Sequence, residues 1–126
     1  MAETKEITGL SDEQRAEMEE KAKVLATQLS VPKVHPLAFY NPETKTFVEC
    51  YLKEPNYMTK LVILDKVMSH GIHIASEDLR QACVLTDHSD PLTYSDAPQS
   101  DPFKLGVLDY IAKSMIDTYV DQFKKK

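Results

Sequence analysis

The apolar positions of this chain recur with two different periods, and each change of period marks an element. From Ser11 the chain reads SDEQ, in which Ser11 can accept from the amide of Gln14 while the Gln14 side chain reaches back, a pattern that opens a helix. Met18, Ala22, Leu25 and Leu29 follow at steps of four, three and four, and Glu17, Glu19, Glu20, Lys21 and Lys23 fill much of the rest. The spacing predicts an amphipathic helix with a narrow apolar stripe. Val31-Pro32 ends it, because proline restricts its predecessor to extended backbone and cannot continue the hydrogen-bond ladder.

In KVHPLAFY and TFVECYL the period drops to two, which puts Val48, Cys50 and Leu52 on one face and Phe47, Glu49 and Tyr51 on the other. NPETK supplies the turn of a β-hairpin, with Pro42 preset for the second turn position and Asn41 placed for an Asx bond. Pro36 removes a ladder donor, so the first strand is expected at an edge.

The helical period returns after Asn56, a capping residue, and runs to Gly71, which can take a left-handed turn. Tyr57, Leu61, Leu64 and Met68 form one stripe, and Met58, Val62, Ile63 and Val67 add apolar surface on other sides. This helix is therefore expected to be largely buried, the central core element. A third helix is expected from Ser76, with Glu77 and Asp78 in its first turn and Leu79, Ala82, Cys83 and Val84 inward. TDHSDPLTYSDAPQSDPF has no period and reads as a long acidic loop, a type that is often functional or mobile. Asp101-Pro102 then starts a long final helix whose apolar face is Leu105, Leu108, Ala112, Met115, Tyr119 and Phe123, with Ile111 and Ile116 beside it.

The expected fold class is α+β, a small single domain: N-terminal helix, β-hairpin, two short helices, acidic loop and long C-terminal helix, with the helices on one face of the hairpin. Residues 1–32 form an N-terminal helical arm and residues 33–126 a hairpin-plus-helices core, packed together as one domain.

Composition narrows the classes. The chain has 126 residues, 42% hydrophobic and 28% charged, values of a soluble globular protein large enough to fold on one core. A formal charge of -5, with no stripe of basic residues interleaved with aromatics, argues against nucleic acid as a partner. Lys124, Lys125 and Lys126 suit the negative pole of the last helix. No apolar run reaches membrane-spanning length and none resembles a signal peptide, so no membrane partner is expected and the chain is expected to stay where it is made. Cys50 and Cys83 form no CxxC, which points to buried, reduced thiols in a cytosol.

Candidate chemistry is sparse. Cys50 lies 15 residues after His35, in the opposing strand of the expected hairpin, but a nucleophilic thiol needs a depressed pKa, and Cys50 alternates with Val48 and Leu52 toward the apolar face, where burial makes a thiol inert. His70, His73, Cys83 and His88 are ligand types suited to zinc, spaced H-x2-H-x9-C-x4-H, which matches no established finger or ribbon. They define one alternative, a small zinc- or thiol-dependent regulatory protein. Asp87, Asp90, Asp96 and Asp101 lack the spacing of a calcium loop, and a chain with three glycines has no phosphate-cradling loop. The expectation is a non-enzymatic protein without a cofactor or metal. Tyr40, Phe47 and Tyr51 on the hairpin and Tyr94 in the loop are the candidate protein-interaction residues, because exposed aromatics are favoured interface anchors.

The order of these elements resembles small proteins encoded among the structural and morphogenesis genes of tailed bacteriophages, including crAss-like phages of gut Bacteroidota. The resemblance spans residues 33–126 and rests on the hairpin-ending phrase of Tyr51, Leu52, Lys53 and Pro55, on Cys83, Val84 and Leu85 closing a short helix, on the acidic loop, and on the lysine tail from Lys124. It implies a tail-assembly-chaperone-like or virion accessory protein, active through protein-protein contacts in the host cytoplasm or in the virion. The implied partners are other phage structural or assembly proteins, with a homo-oligomer as a further option. It carries over no catalytic or ligand residues.

Overall fold

A computed structural model describes residues 10–124, so Lys125, Lys126 and the first nine residues of the arm lie outside the described residues. In chain order the elements are α1 (Asp12–Leu29), β1 (Val34–Asn41), β2 (Thr46–Lys53), α2 (Tyr57–His70), α3 (Ile72–Cys83), α4 (Asp101–Tyr110), a π-helical segment (Ile111–Ile116) and α5 (Asp117–Lys124). The last three run on as one long C-terminal helix. The architecture is a small single α+β domain, mostly helical, as the periodicity predicts.

Ser11 and Gln14 form the capping box, with Gln14 N–H donating to Ser11 Oγ at 3.0 Å and Ser11 N–H to Gln14 Oε1 at 3.1 Å. The chain leaves α1 through Ser30, which takes a left-handed conformation at φ 57° and sends it toward β1.

β1 and β2 pair antiparallel with His35 opposite Leu52, Leu37 opposite Cys50 and Phe39 opposite Val48. Leu37, Phe39, Cys50 and Leu52 face the main core, where they meet Ile63, Ala75, Leu79, Cys83, Val107, Ile111, Met115, Ile116 and Tyr119. The opposite face is not left open. Val34, Ala38, Tyr51 and the half-buried Phe47 form a second cluster with Met18, Ala22 and Leu25 of α1. The expectation of helices on one face is thus corrected: α1 packs on its own hairpin, because the alternation leaves that face apolar enough to need a cover.

Both outer edges of the hairpin are managed. Glu54 N–H donates to Lys33 O, which fixes the ladder phase so that the backbone groups of Val34, Ala38 and Tyr40 point away from β2, and Pro36 falls on one of these outward positions. The β2 edge is covered by the segment after α3: Leu85 N–H donates to Tyr51 O at 2.9 Å and Asp90 N–H to Glu49 O at 2.8 Å. Ser89 Oγ accepts from Tyr51 N–H at 2.9 Å. The acidic loop is therefore docked rather than free. It contains two short 3₁₀ turns, Pro91–Thr93 and Pro98–Ser100, and Arg80 pins it by donating to Thr93 O while pairing with Glu77.

Three helical expectations are corrected. α3 begins at Ile72, because Gly71 at φ 92° lets the chain turn at once, so the inward set is Ala75, Leu79 and Cys83 at steps of four and Ala82 faces out. In the C-terminal helix Ile111, Met115, Ile116 and Tyr119 are buried as expected, a wider turn spanning Ile111–Ile116, but upstream the buried residue is Val107, and Leu105 and Phe123 are exposed. α2 shows the largest departure. Of its apolar residues only Ile63 is buried, because α3 and the C-terminal helix pack along one side and no described element covers the other.

Candidate interaction surface and buried polar cluster

The four aromatics named from sequence are not brought together. Tyr51, expected outward, is 0% exposed; its ring lies beneath α1 with Lys21 Nζ 4.8 Å from its centroid, and its hydroxyl donates to Glu49 Oε1. This is a correction: the face that alternation turns away from the main core is the face α1 needs. Phe47 is half-buried and, with Tyr51, Met18, Lys21 and Glu49, lines a cleft of about 580 Å³ between α1 and β2. Tyr40 is exposed at 38% and packs edge-on against Phe47. Tyr94 is half-buried, its hydroxyl donating to Thr86 O.

The zinc constellation is likewise not assembled. Cys83 is in the main core, His73 and His88 are exposed, and His70, at the end of α2, shares a hydrogen bond with Ser69 Oγ. Among the described residues no group of three or more His, Cys, Asp or Glu is arranged to hold a metal ion. Burial pushes the Cys50 thiol up to about 11, in spite of hydrogen bonds with Thr93 and Ser89, and burial pushes Cys83 up to about 11 as well. Both are held as thiols at neutral pH.

The apolar surface that the fold leaves outside is on α2. Tyr57 is 73% exposed, Met58 64%, Val62 59% and Met68 84%, and on a helix these positions lie within one broad strip together with the half-buried Leu61. Asp65 is exposed within that strip, one turn from Leu61, Val62 and Met68, and forms no ion pair among the described residues. The neighbouring cations are engaged elsewhere, Lys60 with Glu54 at 2.9 Å and Lys66 with Asp78 at 3.1 Å. Sequence reasoning found these residues but assigned them to the core, because a helix apolar on most sides is normally buried.

A second group was missed altogether. His35 points into the main-core side of β1, where its Nδ1 lies 2.8 Å from Tyr110 Oη and its Nε2 2.8 Å from Glu54 Oε1. Glu54 Oε2 also accepts from Tyr119 Oη at 3.2 Å and from Lys60, whose Nζ sits 4.9 Å from the Tyr119 ring centroid. The network assigns the tautomer: Nε2–H donates to the carboxylate and Nδ1 accepts from the Tyr110 hydroxyl. Burial holds His35 below the usual histidine value even against the raising effect of Glu54. Burial also pushes Glu54 upward, but hydrogen bonds from His35 and Lys60 outweigh it and keep the carboxyl below its usual range. Tyr110 and Tyr119 are raised by burial and by the charge of Glu54, so both remain hydroxyl donors.

This cluster borders a cleft of about 350 Å³ that is also lined by Lys33, Ser114 and Thr118. Both imidazole nitrogens and both carboxylate oxygens are occupied, so its evident work is to clamp the hairpin base to α2 and the C-terminal helix. The signal in the sequence was a histidine at an inward position of the period-two pattern, in phase with Leu37 and Phe39, since a polar group placed there must find partners.

Comparison of the chain with protein families, with curated proteins and with solved structures finds no significant match.

Proposed function

We propose that this protein acts by binding other proteins, as a non-enzymatic assembly or accessory component of the kind its resemblance to tailed-phage morphogenesis proteins implies, with other phage structural or assembly proteins as partners. The observation that carries the reading is the outward strip of α2. Four large apolar side chains, each more than half exposed, stand on one helix, whereas the other described large apolar residues exposed by half or more, Ile74, Leu105 and Phe123, stand singly on three other helices. Contiguous apolar patches of this kind on a small domain mark interaction sites. A single exposed Leu or Met needs no explanation, whereas a strip along one helix does.

Co-expression with the products of flanking genes, followed by size-exclusion chromatography with light scattering, tests the proposal. The expected result is a defined complex for the wild type and a free monomer for Val62→Asp, with thermal stability changed by no more than about 0.5 kcal/mol because the site is exposed. A wild-type protein that stays monomeric beside every neighbour, and is found in no particle or assembly intermediate, removes it.

A further inference from the structure

The α2 strip has a size and a charge that together select its occupant. Side chains exposed to the degree of Tyr57, Met58, Val62 and Met68 present on the order of 500 Å² between them, the scale of a functional patch on a monomer, confined to one side of a single helix of 14 residues. One helix laid along the strip fits that size. The two methionines favour such an occupant, since unbranched thioether side chains repack around an incoming apolar stripe.

Charge decides against a second copy. Asp65 stands near the middle of α2, inside the strip and without an ion-pair partner among the described residues. In a two-fold contact between α2 helices the same patch serves on both sides, which brings one Asp65 carboxylate close to the other as apolar neighbours exclude water. Like charges in that setting are costly, whereas a cation from a different chain meets an uncompensated carboxylate. Lys60 and Lys66, already paired within the fold, do not supply that cation.

We infer that the α2 strip is a docking site for an amphipathic helix of a partner protein that carries a lysine or arginine opposite Asp65, an inference that rests on the reading of α2 as a protein-binding surface. The partner helix presents an apolar stripe at i, i+3, i+4 and i+7 to Tyr57, Leu61, Val62 and Met68, and its basic residue sets the register.

The probes are three fluorescein-labelled model peptides of about 18 residues, long enough for a bound helix: a leucine stripe flanked by lysines, the same stripe flanked by glutamates, and a scrambled leucine-lysine peptide. Binding is read by fluorescence anisotropy at about 150 mM salt, where long-range attraction is screened. The lysine-flanked helix is expected to bind the wild type, to bind Asp65→Lys at least about tenfold more weakly, and to lose binding to Val62→Asp. The glutamate-flanked helix is expected to prefer Asp65→Lys. Thermal melts confirm that both variants fold.

Equal binding of the scrambled peptide, or indifference to Asp65→Lys, overturns the inference and leaves α2 as a binding surface without charge selection. If no peptide binds and the wild type is a dimer dissolved by Val62→Asp, the occupant is a second copy; the inference fails and the reading of α2 stands. If no peptide binds and the protein is monomeric beside every co-expressed neighbour, both fail.

Discussion

At the scale of single residues, the His35–Glu54 pair sets the acid limit of the fold. His35 is held below its usual value by burial, so the unfolded chain binds a proton at this site more readily than the folded one. Stability therefore falls as the pH drops below about 6.5, the ordinary histidine value, and goes on falling until the folded-state value of His35 is passed. Glu54 adds a second step: its folded value lies below the usual range, so its contribution is complete above about 4.3 and is lost as the pH falls through the folded value. Urea midpoints at pH 7.5, 5.5 and 4 are expected to decrease in that order. Glu54→Gln is expected to lower stability by about 1–3 kcal/mol at pH 7.5, because a buried histidine N–H and the Lys60 ammonium lose a charged acceptor, and to keep the His35 step, since the carboxylate that raised His35 is gone. A variant whose midpoint no longer falls between pH 7.5 and 5.5 assigns that step to groups other than His35.

At the scale of elements, Gly106 governs how closely α4 approaches the hairpin. A Cβ built there lies 2.8 Å from Phe39 Cε1, a ring buried in the main core with little room to withdraw. Gly106→Ala gains helix propensity of about 1 kcal/mol, yet overpacking of a well-filled core costs about 1–3, so a net loss of stability in urea denaturation is expected. An unchanged or raised midpoint means that α4 shifts freely. The elements also show what was legible. The capping box at Ser11, the Asn41 turn and the inward register of Cys50 follow from local chemistry, and the structure has all three. The exposure of α2 was not legible, because an apolar sequence records that surface is to be covered and not by which chain. The π-helical turn escaped for another reason: a 3.6-residue template has no place for one wider turn, which sets Ile111, Met115 and Ile116 inward together. Single hydrogen bonds of the His35 cluster join residues up to 75 apart in the chain, a juxtaposition no local pattern contains.

At the scale of the whole molecule, the hairpin is a wall shared by two apolar clusters of unequal size. The main one gathers five elements, whereas the other depends on three buried side chains of α1. Opening α1 alone exposes far less apolar surface than global unfolding, so the helix is expected to behave as a separate low-stability unit. In native-state hydrogen exchange, amides near Met18, Ala22 and Leu25 are expected to exchange well before those of α3 near Leu79. Matching protection across the two helices makes the domain a single cooperative block instead.

Pro36 has a further consequence, for growth rather than folding. The outward backbone groups of Val34, Ala38 and Tyr40 have no hydrogen-bond partner among the described residues, so β1 offers a template for a foreign strand. A strand arriving along it meets a missing donor in the middle of the row, and pairing is interrupted after one or two residues on either side. On the other edge the row is already taken by Leu85, Ser89 and Asp90. A domain that displays an apolar helix face thereby keeps its sheet from growing by edge pairing.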